Sequence, residues 1–280
     1  MAEPHRPVAI VAGGGAFPAE VARAARQAGR PVRVIGLRGF SPRSVDGERV
    51  PLVDMLDPRR LLSLLKEIGP DCVVLAGSVT RPGPSAIASV YSAFRNREEL
   101  ARVLSSGDDR LLRGAVALVE DAGFRVVGAQ EIAPSLLAPQ GVLTAAAPGS
   151  GHRRDIELAF ELLAATGRFD IGQGVVVSGG RVLAVEGPEG TDAMLDRVAG
   201  LVRSRRVRLD GQGGVLVKRP KPEQDLRVDM PAIGPRTIAR LRKAALSGVA
   251  VAAGGVVIVD RESVVRAADK AGLFVVGERT

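Results

Sequence analysis

Four cations, Lys218, Arg219, Lys221 and Arg227, stand beside two aspartates, Asp225 and Asp229, in the run Lys218 to Gly234. Cations at this density can clamp phosphate oxygens and offset the charge that builds on a transferred phosphoryl group. Asp225 and Asp229 supply what such chemistry also needs, an oxygen ligand for a metal ion or an acceptor that orients a water. Pro220 and Pro222 restrict the residues before them and so preorganise the side chains they separate. The run therefore points to an anionic, phosphate-bearing substrate.

Other segments carry compatible chemistry. Gly13-Gly14-Gly15 lies between a strand pattern and a helix pattern, where amides at a helix N-terminus can bind anionic oxygen. A tight turn that packs helix on strand would use the same glycines. A nicotinamide-dependent reductase is disfavoured, because Pro18 stands where the dinucleotide fingerprint needs its third glycine and Arg38 where an acid is expected. Ser78, Thr80 and Arg81 follow a strand, at the carboxyl end where parallel sheets bind ligands. Gly107-Asp108-Asp109 opens a helix, so these acids either cap it or hold magnesium through water. Glu186, Glu189 and Asp192 crowd a glycine-rich loop at another helix start, more acid than capping needs. Gln173, in Asp170-Ile171-Gly172-Gln173-Gly174, could read a sugar or a base. With only two histidines, His5 and His152, and one cysteine, Cys72, a metal would have to be oxygen-ligated, which means Mg²⁺ or Mn²⁺.

The elements that must position these groups follow from periodicity. Strands are expected at Pro7–Ala12, Pro31–Leu37, Val50–Met55, Asp71–Ala76 and Phe124–Val127. Helices are expected at Phe17–Ala28, Pro58–Ile68, Ser85–Phe94, Arg97–Ser105 and Asp109–Ala122. This alternation is that of a parallel sheet covered on both faces. From Ile132 to Gly151 the chain turns rich in Pro, Ala, Gly and Ser, as a linker does. Beyond it the rhythm changes. A helix at Arg154–Thr166 precedes a hairpin, Val175–Ser178 and Val182–Val185 about Gly179-Gly180. Helices follow at Thr191–Arg203, Pro235–Leu246 and Glu262–Ala271, with strands at Val215–Lys218, Val256–Val259 and Phe274–Val276. The expected fold class is α/β: a Rossmann-like parallel-sheet domain over residues 1–133, a linker over 134–150, and an α+β domain with a mixed sheet over 151–280.

Composition narrows the partners. The excess of Lys and Arg over Asp and Glu is 39 − 31 = +8, which favours anionic partners. Nucleic acid is not expected among them: aromatics are 3% and the arginines are scattered. Cys72 sits in a strand pattern and reads as a small core residue. The polar leader gives no sign of a signal peptide, and the longest uncharged run, Leu246–Val259, is too short to span a bilayer. A cytoplasmic protein is expected, with contact at the inner face of the membrane.

Taken together, Ala12–Pro18, Ser78–Pro82, Gly107–Asp109, Asp170–Gly174, Glu186–Met194 and Lys218–Gly234 resemble the LpxI-type UDP-2,3-diacylglucosamine diphosphatases of lipid A biosynthesis. The likeness runs over nearly the whole chain. The Glu189-Gly-Thr-Asp-Ala-Met-Leu195 stretch and the Lys218–Gly234 stretch carry most of it. The resemblance implies hydrolysis of a lipid-linked nucleotide sugar, UDP-2,3-diacylglucosamine, to UMP and 2,3-diacylglucosamine 1-phosphate (lipid X). It also implies Mg²⁺ dependence, a substrate cleft between two domains and a homodimer. It places the catalytic aspartate at Asp229. Ser78 departs from the asparagine expected in that loop. The sites expected on these grounds are Asp229, Lys218 and Arg227 for catalysis and Asp229, Glu189 and Asp192 for metal. Gly13, Gly14, Gly15, Ser78, Thr80, Arg81, Asp109, Gln173, Thr191 and Lys221 are expected to bind substrate. The rival reading from another class is a sensor that retains the nucleotide sugar intact.

Overall fold

β1 (Val8–Ala12) is an uninterrupted run of small and branched apolar residues, and all five are buried. Such a strand is stable only with neighbours on both edges and cover on both faces. It has both edges: β2 (Val32–Leu37) and β6 (Cys72–Ala76) pair with it in parallel, and β5 (Leu52–Val53) extends the sheet beyond β2. α1 (Phe17–Gln27) packs on this sheet. α2 (Pro58–Ile68) starts where the Asp57 carboxylate accepts the Arg60 amide at 3.0 Å, and ends at left-handed Gly69. Between β2 and β5 the sequence adds a small hairpin, β3 (Ser44–Val45) with β4 (Glu48–Arg49).

The computed structural model describes residues 6–79, 108–169, 171–222 and 224–280, without the side chains of 108–111 and 168. The helices expected at 85–94 and 97–105 lie outside the described residues, as do Thr80, Arg81 and Asp170. The chain divides into two units, Met1–Ser135 with Asp225–Asp229, and Leu136–Gln224 with Met230–Thr280. The first unit is completed by α3 (Asp108–Asp121) and the short α4 (Ala129–Ile132). The strand expected at Phe124–Val127 is only a single bridge, Val126 to Val73. The backbone there meets β6 through Val73 alone before turning into α4.

The second unit holds a six-stranded mixed sheet in the order β7 (Gly141–Val142), β14 (Phe274–Glu278), β12 (Gly248–Ala252), β10 (Val215–Lys218), β8 (Gly174–Ser178), β9 (Arg181–Val185). Alternation splits its side chains between two cores. Val176, Leu216, Val249, Val251 and Val275 face α6 (Gly190–Arg203), α7 (Pro235–Lys243) and α8 (Arg261–Ala271). Val175, Val177, Val215, Val217, Ala250, Phe274 and Val276 face α5 (Ser150–Thr166). A separate pair, β11 (Ala232–Ile233) with β13 (Val257–Ile258), lies apart from the large sheet. The α/β class with a parallel first sheet and a mixed second one is thus as expected, but β12 is an addition. Its Gly-Val-Ala-Val-Ala run is short of side-chain bulk because the strand is central: a Cβ on Gly248 would lie 2.4 Å from the Phe274 carbonyl. Among the described residues no helix is long and apolar enough to cross a membrane.

Asp155 fixes the hairpin. It is a buried carboxylate on α5 that accepts the amides of Gly179 at 2.9 Å and Gly180 at 2.6 Å. Both glycines have positive φ, as the tight turn requires. Asp155→Ala should lower stability by about 3 kcal/mol, the scale of losing charge-assisted hydrogen bonds to buried donors. Denaturant unfolding measures it, and a loss within error of zero would remove this anchor.

Candidate functional site

Lys218 ends β10 on the same face as Leu216, so alternation drives a lysine into the layer between sheet and helices. Only 4% of it is exposed. A buried ammonium needs oxygen partners, and three converge. Nζ donates to Thr191 Oγ1 at 2.7 Å, in the first turn of α6, and to the Ala232 carbonyl at 3.3 Å. Glu186 Oε2 lies 3.9 Å away, a charge pair whose side chains are 6% and 12% exposed. The Thr191 hydroxyl in turn donates a hydrogen bond to Glu186 Oε1 at 2.8 Å. Glu186 Oε2 is buried and makes no hydrogen bond among the described residues.

The glycines of 172–174 explain how Glu186 reaches this position. A Cβ on Gly174 would lie 2.5 Å from Glu186 Oε2, and one on Gly172 would lie 2.3 Å from the Glu186 carbonyl. The Glu186 amide bonds the carbonyl of Gly174, the β8 residue paired with Lys218, at 2.8 Å. The Gln173 carbonyl takes the Arg219 amide at 3.1 Å. The structure therefore brings together Lys218, Thr191, Gln173, Arg219 and Glu186, whose carboxylate the sequence flagged without separating it from its neighbours. The other two acids of that loop face arginines. Glu189 pairs with Arg197 at 2.9 Å, and a hydrogen bond from its own backbone together with Arg197 holds its carboxyl below the usual range. Asp192 pairs with Arg236 at 2.8 Å and Arg240 at 3.4 Å. Among the described residues no three of His, Cys, Asp and Glu gather to hold a metal ion.

The basic-proline run divides between the units. Lys218 to Gln224 belong to the second: Pro220 packs on Gly255, Pro222 on Gly167, and the Lys221 amide bonds Gln224 Oε1 at 2.9 Å. Asp225–Asp229 is grouped with the first unit, and Val228 packs against that unit's core. There Arg227 forks onto Asp225, Nε to Oδ1 at 2.9 Å and Nη2 to Oδ2 at 2.8 Å, while Nη1 reaches Glu120 at 2.8 Å. The fork holds the Asp225 carboxyl below its ordinary range and keeps Arg227 more firmly charged than usual. Asp229 follows, half-buried, its amide bonded to the Asp225 carbonyl at 3.1 Å. Glu120, the residue that orients Arg227, sits near the end of α3 and carried no sequence signal.

In the first unit, Gly14 and Ser78 exchange backbone bonds at 2.8 and 3.0 Å, and the Gly13 amide bonds the Ala76 carbonyl at 2.8 Å. A Cβ on Gly13 would lie 2.7 Å from the Ser78 carbonyl. The glycine turn is thus stitched to the loop after β6, with two of its three amides used in that seam, and exposed Ser78 and Gly15 stand together at the carboxyl end of the sheet. Asp109 lies in the first turn of α3, and its side chain is outside the described residues.

A family model described as the LpxI N-terminal domain matches residues 7–136, and one described as the LpxI C-terminal domain matches residues 139–276. A Caulobacter vibrioides protein named UDP-2,3-diacylglucosamine pyrophosphatase LpxI is 42% identical over 272 residues, 97% of this chain and 97% of that one. Among solved structures, a Thermus thermophilus UDP-glucose 4-epimerase in complex with NAD covers 98% of this chain and 86% of its own at 12% identity and a TM-score of 0.31. Glycinamide-RNase-transformylase T from Mycobacterium tuberculosis covers 64% and 43% at 18% identity and 0.23. Likenesses this distant carry no argument.

Two outcomes follow from the geometry. Glu186→Gln removes the counter-charge of Lys218 and should cost about 3 kcal/mol in denaturant unfolding. Glu186→Gln with Lys218→Met should regain much of that loss, and a double variant as unstable as the two single losses summed would show that the pair is not coupled. For Asp225, a depressed folded pKa means that its contribution is complete above the ordinary carboxylate range, about pH 4, and lost as pH falls through the folded value. Acid unfolding of the wild type should therefore fall away more steeply than that of Asp225→Asn, and parallel curves would refute the linkage.

Proposed function

The chain belongs to the LpxI family, and on that premise we propose that it hydrolyses the diphosphate of UDP-2,3-diacylglucosamine to UMP and 2,3-diacylglucosamine 1-phosphate in lipid A biosynthesis. The activity is that of a hydrolase of a diphosphate bond. The observation that carries the reading onto this chain's own residues is the buried Lys218 ammonium, positioned by Thr191 and Glu186 at the head of the basic-proline run.

Hydrolysis of a phosphoric anhydride needs charge neutralisation and an oriented water more than a covalent nucleophile. Arg219 and Lys221 supply positive charge for the non-bridging oxygens, and Lys218 joins them by exchanging its Thr191 or Ala232 contact for a substrate oxygen. Asp229 accepts a proton from the attacking water as the water oxygen bonds to phosphorus and the bridging P–O bond breaks. Along the chain only Met230 and Pro231 separate Asp229 from Ala232, whose carbonyl accepts from Lys218. Arg227, fixed by Asp225 and Glu120, holds the backbone that carries Asp229 and presents charge beside it. Gly13, Gly14, Gly15, Ser78, Thr80, Arg81, Asp109, Gln173 and Thr191 complete the substrate contacts in this reading.

A magnesium ion suits this donor set, which offers carboxylate oxygens and no cluster of histidine or cysteine. Magnesium needs only one or two protein carboxylates when water and phosphate oxygens fill its other positions. Asp229 would hold it in exchange for its present contacts, and Glu189 or Asp192 would join by releasing Arg197 or Arg236 and Arg240. When bound, the ion neutralises diphosphate charge. The reading carries with it a cytoplasmic homodimer.

Incubating the purified protein with UDP-2,3-diacylglucosamine and Mg²⁺ should release UMP, and EDTA should stop the release. Asp229→Ala should lower kcat by about 10²–10⁴-fold with little change in KM. Near-normal turnover in that variant would sink the assignment of Asp229, and recovery of intact nucleotide sugar from the wild type would make the protein a sensor.

A further inference from the structure

α6 is divided by charge. Asp192 and Asp196 in its first half pair with Arg236, Arg240 and Lys243 of α7. Its last turn and the loop beyond carry Arg203, Arg205, Arg206 and Arg208, all exposed, and among the described residues none has an ion-pair partner. The start of the edge strand β9 adds Arg181 and Val182, both exposed. These runs are neighbours. β9 leads into α6, which packs back along it, and the Asp210 amide bonds Ser178 Oγ beside the hairpin turn at 3.0 Å. Five guanidinium groups thus gather at one end of the second unit, with Asp210 as the acid of the loop.

Arg205 stands at a position that ordinarily discourages it. α6 closes with the Arg205 amide on the Val202 carbonyl and the Arg206 amide on the Leu201 carbonyl, both at 3.0 Å. This closure places Arg205 at φ 58°, the left-handed residue that glycine usually supplies. The chain keeps a cation there against the preference of the backbone.

We propose that this arginine-rich end of the second unit docks on the surface of an anionic lipid bilayer. Guanidinium groups bind phosphate oxygens two at a time, and each contributes at a charged membrane surface. The choice of partner rests on the functional reading above, in which the substrate carries two acyl chains that a bilayer would take up. Nucleic acid fits less well, because neither residues 179–185 nor residues 200–212 contain an aromatic ring on which a base could stack.

The test uses the purified full-length chain, sedimented with phosphatidylcholine vesicles with and without phosphatidylglycerol, at low and high salt. Binding should require the anionic lipid and weaken with salt. Arg205→Gly should lower partitioning about fivefold while leaving thermal stability equal or higher, since glycine relieves the left-handed backbone. A variant with Arg203, Arg206 and Arg208 all changed to Ser should lower it on the order of a hundredfold, with UMP release from detergent-dispersed substrate unchanged. Equal binding to neutral and anionic vesicles, no binding at low salt, or variants that bind like the wild type would overturn the proposal. So would tighter binding of a DNA oligonucleotide that the same variants abolish. Vesicle binding needs no turnover, so its failure is separable from failure of the hydrolase reading, which UMP release alone decides.

Discussion

An ammonium group taken out of water has to be met by oxygen, and the second unit is arranged around that demand. Lys218 sits at the end of a strand that is otherwise wholly apolar, on the side where three helices cover the sheet. Its partners come from three different places: the first turn of α6, the loop after β9 and the carbonyl of Ala232. The side chains at 191 and 186 could be apolar in a protein that only had to fold. Burying the pair of Lys218 and Glu186 gains little stability over a packed hydrocarbon, so its value is positional: it holds a cation at a set point where the chain leaves the sheet.

From that point outward the chain's charges do two kinds of work. Some cations are held by acids and serve as struts, as Arg227 is by Asp225 and Glu120, or Arg240 by Asp192 and Asp196. Others meet no acid among the described residues and keep their charge available, as at the end of α6. A net charge of +8 describes neither group. What matters is which cations are neutralised locally, and the alternating strand faces and helix spacing decide that.

The division of Lys218–Gly234 between the two units gives the family assignment a physical form. A continuous motif need not be a continuous surface. Pro220 and Pro222 dock on glycines of the second unit, and Val228 docks in the core of the first, so the backbone on each side of Asp225 is anchored separately. Asp229 follows directly on Val228, the second of these anchors.

Much of this was legible in the residue order. The five-residue apolar run of β1, the glycine hairpin at 179–180 and the Pro-started helices at 58 and 235 are local signals, and local backbone preference was enough to read them. The Lys218–Gly234 motif was equally plain, since proximity along a chain cannot be undone by folding. Tertiary structure decided which neighbours along the chain become partners in space. Glu186, Glu189 and Asp192 look alike in sequence, yet only Glu186 meets Lys218, because Gly172 and Gly174 clear the room for it while arginines draw the others away. The same holds for β12, which reads as a small-residue stretch until Phe274 is packed against Gly248, and for Glu120, which finds Arg227 across 107 positions of chain. Charge pairing and close packing act through distance in space, and a sequence records distance only along the chain.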